Sequence, residues 1–306
     1  MTDGAISKSG LHPRNRFRAG YDFAQLAACS PRLAACLVRT VRGDPSINYA
    51  DPEAVKALNQ ALLKHAYGLE VWDLPRGFLC PPVPGRSDYL HHVADLLSGG
   101  DARAIPRGRA IAVLDIGVGA NCIYPLVGAS EYGWRFVGSE IDPEALRWAR
   151  RLVASNPSVA DLIECRLQPS PLACFAGVTA AHERFDLSLC NPPFHASAAA
   201  AAEGTRRKLR NLGGGRRPAG VVQNFGGRPG ELWCAGGELG FLRRMITESA
   251  AVPDRCRWFT SLVSKSDHLP ALYHALRDVS AADVRTIAMA QGQKRSRILA
   301  WTFRRR

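Results

Sequence analysis

The chain has 306 residues, 46% of them hydrophobic, which is enough for one large domain with a core and a smaller appendage. No apolar run approaches the roughly 18 residues that a transmembrane helix needs, which excludes a helical membrane-spanning protein. The formal net charge of +13, from 40 basic and 27 acidic side chains, predicts a polyanionic partner, with nucleic acid favoured over a membrane surface.

Nine cysteines are scattered along the chain without a Cys-x-x-Cys pair. This spacing argues against a zinc site and against a disulfide framework, and it favours a reducing compartment. The first ten residues also lack the apolar segment of a secretory signal. We therefore expect a cytoplasmic monomer that binds no metal.

Residues 1–75 are predicted to form a small, basic, helical N-terminal extension. The segment 12–18 alternates basic residues with others and includes Phe17, a composition that suits phosphate contacts and base stacking. A disordered basic tail is the alternative. Further along, Asp51 followed by proline predicts the start of a helix, and Gly68 predicts its end.

The main domain is predicted to span residues 76–306. A helix is expected over residues 89–97, after a proline-rich stretch in which the apolar residues show no regular spacing. That helix contains His91 and His92, but neighbouring helical side chains point about 100° apart and cannot share one metal-binding face. We therefore interpret the two histidines as surface or core residues.

A parallel α/β pattern begins at residues 111–116, an apolar strand that leads into a loop containing Gly117 and Gly119. The missing side chains let the backbone approach a ligand. A second strand, 134–138, is followed by Glu140, where an acid can bind the ribose hydroxyls of a nucleoside cofactor. The loop lacks the third glycine of a pyrophosphate-binding site. It therefore fits S-adenosylmethionine, which contains adenosine but no phosphates, better than NAD.

The chain is organised around Asn191-Pro192-Pro193-Phe194, which follows directly after the apolar strand 185–190. The prolines end the strand in a stiff, extended loop at the edge of the sheet where ligands bind. Asn191 and nearby carbonyl groups offer acceptors for a planar exocyclic amine, and Phe194 offers a stacking face. Catalysis would then require positioning without a strong base. The alternative is an ordinary strand that ends in prolines.

The remaining sequence predicts the rest of a Rossmann-like sheet. The other predicted strands are 162–167, 257–263, 284–290 and 297–303, the last two as an antiparallel hairpin; the other predicted helices are 142–152, 196–203, 238–249 and 268–276. Residues 203–237 are rich in glycine and arginine, and we interpret them as a basic lid over nucleic acid, with disorder as the alternative.

Seven segments, in order along nearly the whole chain, carry a family resemblance: HPRNRF (12–17), NYADPEAV (48–55), PGRSDY (84–89), DIGVGANCIYP (115–125), EID (140–142), NPPF (191–194) and GGE (236–238). They resemble the RlmF family of bacterial 23S rRNA adenine-N6 methyltransferases. They are also similar to eukaryotic methyltransferase-like enzymes that modify small nuclear RNA. The resemblance implies a class I S-adenosylmethionine-dependent fold that acts on adenine 1618, in free 23S rRNA or in a large-subunit assembly particle.

The resemblance also implies roles for individual residues. The implied cofactor-binding residues are Arg86, Asp115, Gly117, Gly119, Asn121, Glu140 and Asn191. Among these, Arg86 would hold the methionine carboxylate and Glu140 the ribose, whereas Asn191 would contact both the cofactor and the target amine. Phe194 would stack on a flipped adenine. The implied RNA-binding residues are Arg14 and Arg16, and the basic lid would add Arg206, Arg207, Lys208 and Arg210.

Three alternatives remain open from the residues. A glutamine N-methyltransferase of release factors uses a similar loop, usually with tyrosine in the fourth position, so Phe194 and the basic composition weigh against it. A DNA adenine-N6 methyltransferase shares the chemistry, and the residues alone do not exclude it. A non-catalytic RNA-binding protein with the same fold is disfavoured because Glu140, Asn191 and Phe194 are all present.

Overall fold

A computed structural model describes residues 10–197, 199–200, 227–291 and 294–305. These residues form the predicted α/β fold. The strands are β1 (Leu37–Arg39), β2 (Pro45–Ile47), β3 (Ala112–Ile116), β4 (Arg135–Glu140), β5 (Ile163–Leu167), β6 (Phe185–Cys190), β7 (Cys256–Val263), β8 (Asp283–Gln291) and β9 (Lys294–Thr302). The helices are α1 (Phe23–Cys29), α2 (Pro31–Ala34), α3 (Pro52–Tyr67), α4 (Val83–Leu97), α5 (Ile123–Tyr132), α6 (Pro143–Ala154), α7 (Pro157–Ala160), α8 (Pro229–Leu232), α9 (Gly237–Ala251) and α10 (Leu269–Asp278).

The central sheet has seven strands in the order β5-β4-β3-β6-β7-β9-β8. Strand β3 lies between β4 and β6 and is parallel to both, so that Asp115 is in register with Gly138 on one side and Leu189 on the other. The strand order reverses at β3, and such a switch point opens a crevice at the carboxyl ends of the strands. Glu140 ends β4 and Asn191 follows β6, so both residues lie at this edge.

Local signals explain most boundaries. Helix α3 begins after Asp51, whose side chain caps it, and ends at Gly68 in the left-handed conformation, as predicted. Helix α4 begins at Val83, six residues before the predicted start at residue 89, because a proline is tolerated in a first helical turn. The predicted hairpin of β8 and β9 is confirmed. The small sheet of β1 and β2 and the helix α5 were not predicted.

The N-terminal extension packs against the rest of the chain. Leu33 and Leu63 are completely buried and belong to the same hydrophobic cluster as Val113 of the central sheet. The segment 12–18 is ordered and anchored: the side-chain amide of Asn15 donates to the carbonyl of Pro84 at 2.9 Å. A disordered tail is therefore wrong for this segment, and the division of the chain between residues 75 and 76 stays a prediction.

Some predicted features fall outside the described residues. These are most of the basic lid, with Arg206, Arg207, Lys208 and Arg210, and the end of the helix predicted over 196–203. Among the described residues, no helix is long and apolar enough to cross a membrane. In the same part of the chain, no group of three His, Cys, Asp or Glu side chains is placed to hold a metal ion.

Candidate active site

A cleft of about 680 Å³ opens at the carboxyl ends of β3, β4 and β6. It is lined by five of the residues proposed to bind a cofactor: Gly117, Gly119, Asn121, Glu140 and Asn191. The two prolines that follow Asn191 line it as well. The carboxylate at the end of β4 and the amide after β6 thus share one cavity.

The loop after β3 exposes its backbone to this cleft. Gly117 and Gly119 have φ values of 76° and 66°, a conformation that residues with side chains rarely adopt. The N–H groups of Gly117 and Val118 both donate to the carbonyl of Ser139, at 3.0 and 2.9 Å, which ties the loop to β4. A β-carbon on Gly138 would lie 2.9 Å from the Val118 side chain, so this approach requires glycine in β4.

The Glu140 carboxylate is held in one orientation by backbone donors. Its Oε2 accepts the N–H of Gly119 at 2.9 Å, and its Oε1 accepts those of Ile141 and Asp142 at 2.8 and 2.9 Å. Burial raises the pKa of this carboxyl, and the three N–H groups oppose that shift. Because a carboxylate has about four acceptor positions, Glu140 retains capacity for a ligand's hydroxyl groups.

Asn191 contributes an acceptor without a donor. Its Oδ1 is buried and receives no hydrogen bond within the described part of the chain. Leaving such an atom unpaired costs about 1–3 kcal/mol, which marks it as a position for a ligand donor. The backbone of His195 pairs with Leu232 at 3.0 Å and with Cys234 at 3.1 Å, and this pairing fixes the end of the proline loop. Phe194 is half-buried and does not line the cleft.

Asp115 and Arg86 lie outside the cleft lining. Asp115 is completely buried, and neither of its carboxyl oxygens has a hydrogen-bond partner among the described residues. Burial raises the pKa of this carboxyl to about 8, with the charge of Arg86 opposing the shift and that of Glu140 adding to it. Arg86 donates to the hydroxyl of Tyr124 at 2.9 Å. Its contact with a cofactor carboxylate stays a prediction.

The two N-terminal arginines make contacts within the protein. Arg14 donates to Asp95 at 2.6 Å and to the carbonyl of His91 at 2.9 Å. Arg16 donates to Glu131 at 2.8 Å, but 49% of its side chain is exposed. RNA binding by either residue stays a prediction, and Arg16 is the more accessible of the two.

Sequence reasoning missed one wall of the cleft. Residues 228–235 were assigned to the basic lid, yet Arg228, Glu231 and Trp233 line the cavity. Arg228 forms ion pairs with Asp142 at 3.2 Å and Glu144 at 2.6 Å. The sequence did carry a signal for this wall. Acidic and aromatic residues follow the glycine-rich run, and their composition differs from that of a basic lid.

The loop after β5 forms another wall. Gln168 is buried and lines the cleft, as do Pro171 and Leu172. Its side-chain amide donates to the carbonyl of Ala176 at 3.1 Å and accepts the N–H of Ser170 at 3.0 Å, which fixes the shape of the loop. The segment 168–171 was where we expected the adenine-binding position, and its role stays a prediction.

Known proteins resemble this chain in sequence and in structure. Residues 5–305 match the RNA methyltransferase family. Ribosomal RNA large subunit methyltransferase F of Yersinia enterocolitica is 58% identical over 97% of this chain and 88% of its own length, and that of Yersinia pestis is equally similar. The hMettl16 catalytic domain in complex with MAT2A 3'UTR hairpin 1 has a TM-score of 0.79 and 33% identity, with 96% of both chains covered.

A second solved structure adds a bound small molecule. The N-terminal domain of human METTL16 in complex with SAH superposes with a TM-score of 0.75 and 30% identity, covering 96% of this chain and 99% of that one. These likenesses extend over nearly the full sequence. The chain therefore belongs to the RNA methyltransferase family, in the group of the ribosomal RNA large subunit methyltransferases F.

Proposed function

We propose that this protein transfers a methyl group from S-adenosylmethionine to N6 of an adenine in 23S rRNA. The observation that carries the proposal is the buried Oδ1 of Asn191, which has no hydrogen-bond partner among the described residues, on a residue that lines the same cleft as the fixed carboxylate of Glu140. Asn191 would accept from an amine and Glu140 from ribose hydroxyls. The names of the Yersinia relatives support ribosomal RNA as the substrate.

The residues of the cleft fit the cofactor. Its volume of about 680 Å³ lies within the range of ~300–1,000 Å³ found for small-molecule sites. Glu140 would bind the ribose, the backbone from Gly117 to Asn121 would lie along the methionine part, and Arg86 would approach its carboxylate. The bound cofactor would supply an electrophilic methyl group on a sulfonium. The SAH complex of human METTL16 supports this assignment.

The proline loop would position the target amine. An adenine leaves its stack at a cost of a few kcal/mol, which is smaller in a loop or single strand. Asn191 Oδ1 would accept one N6–H, a carbonyl of the proline loop would accept the other, and Phe194 would stack on the ring. The proton that N6 loses can pass to water, so no side chain has to act as a base. His195 would support the loop.

The charge and the resemblance define the proposed target. A net charge of +13 favours a polyanionic substrate, and the half-exposed Arg16 offers a phosphate contact. The family resemblance implies adenine 1618, in free 23S rRNA or in a large-subunit particle. We further propose that the protein acts in the cytoplasm as a monomer, with residues 1–75 as the RNA-binding extension.

The test measures transfer of labelled methyl from S-adenosylmethionine to 23S rRNA, large-subunit particles, DNA and a release factor. We expect label on rRNA or the particle, recovered as N6-methyladenosine. Asn191→Ala should lower kcat about 10²–10³-fold, the usual cost of removing one positioned hydrogen-bonding group. Circular dichroism is the control for the fold of the variant, and cofactor titration separates weaker cofactor binding from slower transfer. Label on DNA or protein alone, or full activity of Asn191→Ala, would refute the proposal.

A further inference from the structure

Carboxylates outnumber arginines in the cleft of a strongly basic protein. Against a net charge of +13, the cleft is lined by three carboxylates, Glu140, Asp142 and Glu231, and by two arginines, Arg228 and Arg244. Asp142 is neutralised by its ion pair with Arg228. Within the described residues, neither Glu140 nor Glu231 forms an ion pair. Two carboxylates that form no ion pair among the described residues therefore remain in the cavity.

Glu231 is held in place by two backbone donors. Its Oε2 accepts the N–H of Leu79 at 3.1 Å and that of Arg228 at 2.9 Å. Its Oε1 receives no hydrogen bond in the described part of the chain. A β-carbon on Gly119 would lie 3.8 Å from this oxygen, so the carboxylate faces the glycine loop from the opposite wall.

The two carboxylates also influence each other. Gly119 donates to Glu140 on one side and lies beside Glu231 on the other. The charge of Glu231 adds to the burial that raises the pKa of the Glu140 carboxyl. Burial also raises the pKa of the Glu231 carboxyl, and the charge of Arg228 opposes that shift. A cation bound between them would relieve this repulsion, so the cavity favours a cationic ligand over a neutral one of the same shape.

We propose that Glu231 recognises the positive charge of the cofactor and thereby favours S-adenosylmethionine over its product, S-adenosylhomocysteine. This inference rests on the proposed function. S-adenosylmethionine carries a carboxylate, an ammonium and a sulfonium, for a net charge of +1. On transfer, the S–CH₃ bond breaks with its electrons left on sulfur, the N6 lone pair bonds the methyl carbon, and an N6 proton goes to water. The product left in the cleft is neutral overall.

The test compares dissociation constants of three ligands by isothermal titration calorimetry at low salt. The ligands are S-adenosylmethionine, S-adenosylhomocysteine and sinefungin, an analogue with a protonated amine in place of the methyl sulfonium. Glu231→Gln removes the charge and keeps a side chain of equal size. Glu144→Gln is the matched control, because Glu144 carries the same charge and contacts Arg228 but does not line the cleft.

We expect Glu231→Gln to reduce the preference for S-adenosylmethionine over S-adenosylhomocysteine about tenfold, which lies between the effect of a close charge pair in water and that of one near a protein surface. Sinefungin should weaken together with S-adenosylmethionine because it shares the charge. Glu144→Gln should change the preference less than twofold. Each preference is a ratio within one variant, so a partial loss of folded protein affects both ligands alike.

Every other outcome contradicts this inference or the proposed function on which it rests. Equal weakening of all three ligands by Glu231→Gln would mean that Glu231 shapes the cleft without sensing charge. An unchanged preference for S-adenosylmethionine over S-adenosylhomocysteine would lead to the same conclusion. If Glu231→Gln does not fold, Glu231→Asp is measured instead. Its shorter side chain moves the carboxylate away from the ligand, so the preference for S-adenosylmethionine should fall about threefold. An unchanged preference would overturn the inference. Failure of the unaltered protein to bind any of the three ligands would instead overturn the proposed function.

Discussion

Replacing Glu140 with glutamine tests the centre of the candidate site. In the native protein, three backbone N–H groups, from Gly119, Ile141 and Asp142, converge on its two carboxylate oxygens. Glutamine has one acceptor oxygen and an NH₂ group. At least one of the backbone donors must then face another donor in a site where the native side chain is only 8% exposed.

The structure sets the size of the effect. A hydrogen bond to a charged group contributes ~1.5–3 kcal/mol, so Glu140→Gln should destabilise the fold by about 3 kcal/mol. For a domain of this size, that loss lowers Tm by roughly 6 °C. The loss of one charged acceptor for the ribose should weaken S-adenosylmethionine binding by about 2 kcal/mol, or roughly thirtyfold in Kd.

Thermal unfolding and isothermal titration calorimetry measure both quantities. Glu248→Gln is the matched control, because Glu248 accepts three backbone N–H groups, from residues 174–176, and does not line the cleft. It should lower Tm by a similar amount and leave the cofactor Kd within about threefold. The reasoning fails if Glu140→Gln binds the cofactor as tightly as the native protein, or if both variants weaken binding equally.

Three further predictions concern stability. Gly128→Ala should lower the free energy of unfolding by about 1–3 kcal/mol, because the added methyl overlaps the ring of Phe136; an unchanged urea midpoint would contradict this. Asp115 has a pKa of about 8 when folded and ~3.9 when unfolded, so the folded state binds the extra proton. Its stabilising contribution is complete below about pH 4 and disappears as pH rises through 8, at up to ~1.4 kcal/mol per pH unit. Urea unfolding at pH 6 and pH 8 should show a smaller change in the free energy of unfolding with pH for Asp115→Asn than for the native protein. An equal change in both proteins would contradict this prediction. Arg14→Ala should lose about 2 kcal/mol of stability with its charged hydrogen bond to Asp95, and a native-like melting curve would leave RNA contact as its main role.

Much of the sheet could be predicted because its signals are local. The strand 185–190 was predicted with the observed boundaries of β6, and the two prolines that follow Asn191 explain where it ends. The cap at Asp51 and the left-handed Gly68 likewise placed α3. The start of α4 was missed because its N-cap is Pro82, which makes no side-chain hydrogen bond of the kind that Asp51 makes at the start of α3.

Other site residues could not be found in this way. Glu231 contacts Leu79 across 152 positions of sequence, and nothing near Glu231 in the chain specifies that contact. The accessibility of Arg14 and Arg16 also depended on remote partners, Asp95 and Glu131, that only the folded chain supplies.

The sequence by itself determined the α/β class, the glycine loop, the acid after the second strand of the main domain and the Asn-Pro-Pro-Phe loop. These features can be predicted because the backbone conformation at glycine, proline and capping residues depends on near neighbours in the chain. The tertiary structure decided that Glu140 and Asn191 share one cleft, that Asp115 is buried with no hydrogen-bond partner in the described part of the chain, and that Glu231 faces the glycine loop. Burial, pKa and pairing depend on which strands become neighbours, and the packing of the whole chain sets that order.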